Sequence, residues 1–90
     1  MIVVPIRGSV YDLLVGRWQS PPAEHDFKIV RHRLAGRGST YQVAMSVEGM
    51  RIVERHLSEI MLDRSQKESV RDNVFVLAAQ LRDLIAMREE

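Results

Sequence analysis

The sequence predicts an α+β fold, because its hydrophobic period changes partway along the chain. Up to residue 47 apolar residues alternate with polar ones or fall in short β-branched runs; from Glu48 they recur every three or four residues. Breaks at Gly8-Ser9, Ser20-Pro21-Pro22, the glycines of 35–39 and Asp63-Arg64-Ser65 cut the chain into short segments. Ninety residues make one domain, 1–90, with a β-rich part over 1–47 and a helical hairpin over 48–90.

Ile2 to Ile6 is β-branched and predicts a short strand, placed at a sheet edge because Pro5 has no N–H to donate. Ser9 with Asp12 three residues on reads as a capping box for one or two helical turns through Val10, Leu13 and Leu14. A Gly-Ser turn running into a second strand is the competing reading. Val15 to Gln19 is expected to be extended. Asp26 to Leu34 and Thr40 to Val47 predict strands joined by a hairpin loop at 35–39, giving three antiparallel strands in a meander. In the last strand Tyr41, Val43, Met45 and Val47 alternate with Gln42, Ala44 and Ser46, so one face is wet.

Met50, Val53, Leu57, Ile60 and Met61 form one helical stripe, and Val70, Val74, Leu77, Leu81 and Leu84 a second. With the turn at 63–65 between them they predict an antiparallel helical hairpin. Ser65, three residues before Glu68, is expected to cap the second helix. Residues 74–79, Val-Phe-Val-Leu-Ala-Ala, are apolar around the whole helix. Such a helix needs cover on every side. Val74, Phe75, Val76 and Leu77 are therefore the expected self-association surface of a homodimer.

Composition narrows the function classes. The absence of cysteine rules out disulfides and fits a reducing compartment, so a cytoplasmic location is expected. No run approaches 18 apolar residues, so no membrane partner is expected, and the apolar opening lacks the basic segment of a signal peptide. There is no phosphate-cradling glycine loop, and no cofactor is expected. His56, Glu59 and Asp63 share a helical face, but this is the polar side of an amphipathic helix. No catalytic residue and no metal ligand is assigned, and no cleft of converging titratable groups is expected.

Binding candidates remain. His25, Lys28, Arg31, His32, Arg33 and Arg37 face only Asp26 in the same stretch, in a chain of net charge +1. Lys28, Arg31, Arg33 and Arg37 are therefore the expected partner-binding residues. The expected function is a non-enzymatic regulator, adaptor or inhibitor that occupies a surface on a protein partner; the alternative is a nucleic-acid-binding regulator. Strict alternation sets Lys28 and His32 on the opposite face from Arg31 and Arg33 unless a bulge intervenes.

Two resemblances bear on this choice. Gly16-Arg17-Trp18 is similar to the opening of a lipocalin-like meander, although the chain has room for only three or four strands, so no ligand cavity follows. Trp18 is instead expected in the core, its indole N–H reaching a loop carbonyl. The order strand, helix, helix from Thr40 onward resembles ribbon-helix-helix DNA-binding proteins, with Ser65 at the cap of the second helix. That resemblance implies a dimer whose 40–46 strands pair across a two-fold, with Gln42, Ala44 and Ser46 facing the groove. The sequence departs from the family in the 40 or so residues that precede the ribbon and in Asp63, where glycine is common.

Overall fold

Along the chain run β1 (Ile2–Arg7), α1 (Gly8–Arg17), β2 (Phe27–Ala35), β3 (Gly38–Met45), α2 (Val47–Leu62) and α3 (Glu68–Glu89). The structure, a computed structural model, describes residues 1–36 and 38–89. Three antiparallel strands with a C-terminal helix pair make the α+β fold that the hydrophobic pattern predicts. The strand order is β1-β3-β2, so the sheet is not the expected meander. With residues 15–17 helical, the third strand is β1, which crosses over to the far side of β3 and leaves Pro5 on an edge strand, as its missing N–H requires.

The N-terminal half departs from expectation in its second element. Residues 15–17 belong to α1 and are not extended. Val10 and Leu14, one turn apart, are both buried and hold the helix on the sheet, whereas Val15 is exposed and asks for no strand partner. Tertiary anchoring of one helical face outweighs the mild β preference of a single valine. The helix starts at Gly8 with Arg7 at its N-cap and no side-chain cap, so Ser9 is inside it. Gly16-Arg17-Trp18 is a helix end, and the likeness to a lipocalin strand lapses with it.

The C-terminal helices follow their stripes closely. Met50, Val53, Leu57 and Ile60 of α2 and Val74, Leu77, Ala78 and Leu81 of α3 are buried against Val4, Ile6, Val43, Met45 and Phe27 of the sheet. Ser46 caps α2: its Oγ accepts from the Gly49 N–H (3.0 Å) and donates to the Asp26 carboxylate (2.7 Å). Ser65 caps nothing. It turns back to Asp63, which accepts from its hydroxyl (2.6 Å) and its N–H (3.0 Å), and α3 begins only at Glu68. A carboxylate two residues away satisfies this serine first, which is an Asx-type turn in place of a helix cap. These bonds, the hydroxyl's first, hold the Asp63 carboxyl below its ordinary range. A lowered value means that the turn is tied at neutral pH and loosens as pH falls through that value.

Arg17 at the end of α1 donates to Asp63 (2.9 Å), and Arg82 of α3 donates to Glu54 of α2 (2.7 Å). Among the described residues no helix is long and apolar enough to cross a membrane.

Candidate functional site

All three helices lie on one side of the sheet, so its other side is open. Buried Val4, Ile6, Val43, Met45 and Phe27 define the covered side. Residues paired across an antiparallel sheet share a face, and neighbours along a strand alternate. The open side therefore consists of three cross-strand rows: Arg7, Thr40 and Arg33; Pro5, Gln42 and Arg31; Val3, Ala44 and Lys28.

That grouping depends on an irregularity at Val30. The register runs Ile29↔Val43 and then Arg31↔Gln42, so Val30 is an extra residue with no partner. One extra residue reverses the parity of the strand beyond it. Lys28, Arg31 and Arg33 thus fall on one face, and His32 turns to the other, where it stacks on Tyr41 (ring centroids 4.0 Å apart, 3° between planes). An unbulged strand would have split these cations.

The electrostatics of the open face are one-sided. None of the strands contains an aspartate or glutamate. Lys28 has a loose contact with Glu24 at 3.7 Å, and Arg7, Arg31 and Arg33 make no ion pair among the described residues. Arg7 and Arg33 flank Thr40 from the two neighbouring strands, about 10 Å apart at their Cα atoms, and Arg31 is about 7 Å along β2 from Arg33. Arg7 was not among the sequence-derived candidates: only the pairing of β1 with β3 brings it beside the hairpin. Arg37, which was, lies outside the described residues.

The self-association candidates divide. Val74 and Leu77 are core residues at 0% and 6% exposure, while Phe75 and Val76 are 60% and 65% exposed, so the candidate surface narrows to that pair. Phe75→Glu is therefore expected to shift folding stability by no more than about 0.5 kcal/mol in a thermal melt; loss of folding would show that Phe75 belongs to the core.

No group of three histidine, aspartate or glutamate side chains placed to hold a metal ion occurs among the described residues. Contrary to expectation, one cleft does carry several titratable groups. It is about 420 Å³, lined by Arg17, Gln19, Ser20, Arg55, His56 and Glu59. Two of its groups lie near a carboxylate: Arg17 pairs with Asp63 at 2.9 Å, and His56 Nδ1, buried without a hydrogen bond among the described residues, stands 3.6 Å from Glu59. No hydrogen bond joins Ser20 to His56 among the described residues. Trp18 packs edge-on against Phe27 (5.1 Å), but its indole N–H finds no partner among the described residues, and the expected loop carbonyl is not there.

The ribbon-helix-helix arrangement is overturned. β3 is the central strand, bonded to β1 on one side and β2 on the other, so it has no free edge to pair with a second chain. No protein-family model, curated protein or solved structure matches the chain.

Proposed function

We propose that the protein is a non-catalytic nucleic-acid-binding domain that holds the phosphate backbone on the open face of its sheet. The observation that carries this reading is the bulge at Val30, which sets Lys28, Arg31 and Arg33 on the same face as Arg7 with no carboxylate between them. Cations gathered on one surface, three of them (Arg7, Arg31 and Arg33) without an ion pair among the described residues, suit counterion release from a polyanion. An acidic protein surface, favoured from the sequence alone, fits this face less well. Between the cations stand Val3, Pro5, Thr40, Gln42 and Ala44, with no aromatic or other large anchor of the kind that dominates protein interfaces. The reading implies a cytoplasmic location, which a cysteine-free chain fits.

The test is fluorescence anisotropy on labelled single- and double-stranded oligonucleotides across a salt series. Log affinity is expected to fall linearly with log salt for the wild type. In Arg7/Arg31/Arg33→Ala the slope is expected to be shallower by about 2 to 3, at roughly 0.7–0.9 per lost phosphate contact. A slope unchanged in the variant, or no binding by the wild type near physiological salt, sinks the proposal and returns the protein-partner reading to first place.

A second reading concerns self-association, and the adjacent exposed pair Phe75 and Val76 favours it. If a homodimer forms on α3, Val76→Glu yields a folded monomer by sedimentation; a wild type that is monomeric throughout rejects it.

A further inference from the structure

The two faces of β2 differ in chemistry, and its outer edge is free. β2 is an edge strand, bonded only to β3. Arg31 and Arg33 point to the open face, while Ile29, His32 and Leu34 point to the helix side, at the margin of the helix layer. All three are exposed, Leu34 to 83%. A chain lying along this edge meets cations on one flank and a ring with two aliphatic side chains on the other.

The ring belongs to a stack. Tyr41 is stacked on Tyr11 of α1 (centroids 4.0 Å, 22°) and on His32 (4.0 Å, 3°). Two rings cannot occupy one face of Tyr41 at that distance, so Tyr11 and His32 take opposite faces and both sides of Tyr41 are filled. The stack therefore ends at His32, beyond which the sheet has no further strand among the described residues. Tyr11 and Tyr41, half-buried behind it, fix the orientation of the imidazole. An exposed ring held flat by two others is preorganised to accept one more aromatic plane, because its rotamer is already chosen.

Resting on the nucleic-acid reading above, we infer that the ligand is single-stranded: the β2 edge takes an unpaired strand, with phosphates toward Arg31 and Arg33 and one base stacked on His32. A duplex keeps its bases inside its own stack and offers none to His32, whereas an unpaired strand satisfies both flanks at once. The apolar side chains of Ile29 and Leu34 on either side of the ring provide contact for neighbouring bases.

The experiment compares a labelled oligothymidylate, an oligouridylate and a duplex of equal length by anisotropy, for wild type, His32→Ala and His32→Phe, each first shown to be folded by circular dichroism. The wild type is expected to bind a single strand about tenfold more tightly than the duplex. His32→Ala is expected to lose about tenfold on the single strand and nothing on the duplex, and His32→Phe to restore the loss, since the ring plane and not the imidazole nitrogen does the stacking. The two single strands separate DNA from RNA as the source. Duplex binding equal to or tighter than single-strand binding overturns the inference, as does a His32→Ala variant that binds like wild type or a loss that phenylalanine does not restore. These outcomes leave the phosphate contacts standing. Absence of binding to all three probes, or salt slopes unaffected by removal of the arginines, defeats the function reading itself.

Discussion

Gly49→Ala is expected to lower stability by about 2–3 kcal/mol, although alanine is the better helix former by about 1 kcal/mol. Gly49 is the third residue of α2, buried where the helix start meets the loop before β2. A Cβ at this position would run into the carbonyl group of Asp26, which is backbone and has no rotamer to change. That carbonyl accepts from the Ser46 N–H (3.1 Å), the Asp26 N–H donates to Ala23 (2.9 Å), and the Asp26 carboxylate accepts from Ser46 Oγ (2.7 Å). Any retreat breaks the contacts that cap the helix. For a domain of this size the loss corresponds to a fall in Tm of roughly 10–20 °C by calorimetry. Gly8→Ala serves as the control: the group its Cβ meets most closely is the Ser39 hydroxyl, which rotates, so a loss of under about 1 kcal/mol is expected. A Gly49→Ala protein as stable as wild type would mean that the loop shifts freely, and the close packing described for this corner would be wrong.

The second large effect concerns the face on which the cations stand. Exchanging Arg31 with His32 and Arg33 with Leu34 keeps composition and net charge but moves both arginines to the helix side of β2. All four positions are exposed, so the fold is expected to survive. On a duplex probe, the log–log salt slope is expected to drop by about 1.8 for the two phosphate contacts removed, with affinity down on the order of tenfold to a hundredfold. Deleting Val30 is expected to do the opposite of what a deletion usually does. The bulge residue has no partner on β3, so its removal restores regular pairing while Lys28, Arg31 and Arg33 keep their face. Binding should persist in the deletion and fail in the exchange. If the exchanged protein binds as well as wild type, only the total charge of the hairpin matters and the open face is not the site.

How much of this was legible beforehand varies with the element. The α2 and α3 stripes could be read because burial of one helical face imposes a period that survives in the residues themselves: Met50, Val53, Leu57 and Ile60 are all at or below 1% exposure. Pro5 marked an edge strand for an equally local reason. Residues 15–17 misled because one β-branched residue is weak information, and the burial of Leu14 one position earlier decides the matter from outside the segment. Ser65 misled because a capping box and an Asx turn draw on the same residue types, and the nearer carboxylate took the hydroxyl.

The candidate site was half legible. Lys28, Arg31 and Arg33 stood out as a charge run, but a run says nothing about which way side chains point. Arg7 could not be associated with them at all, since 24 positions separate it from Arg31 and only the β1–β3 ladder brings it to Thr40. The three-ring stack joins α1, β3 and β2, three elements with no local connection in the pattern.

By itself, then, the sequence determined the fold class, the helical hairpin, the edge position of the first strand and the presence of an excess of cations over 25–37, because each follows from periodicity or from the covalent chemistry of single residues. Tertiary structure alone decided the strand order β1-β3-β2, the parity change at Val30, the company of Arg7, and the division of residues 74–77 into core and surface. The physical reason is common to all four. Each depends on which backbone groups pair across the sheet or which faces pack across the core, and these are contacts between separate segments, where local pattern carries no register.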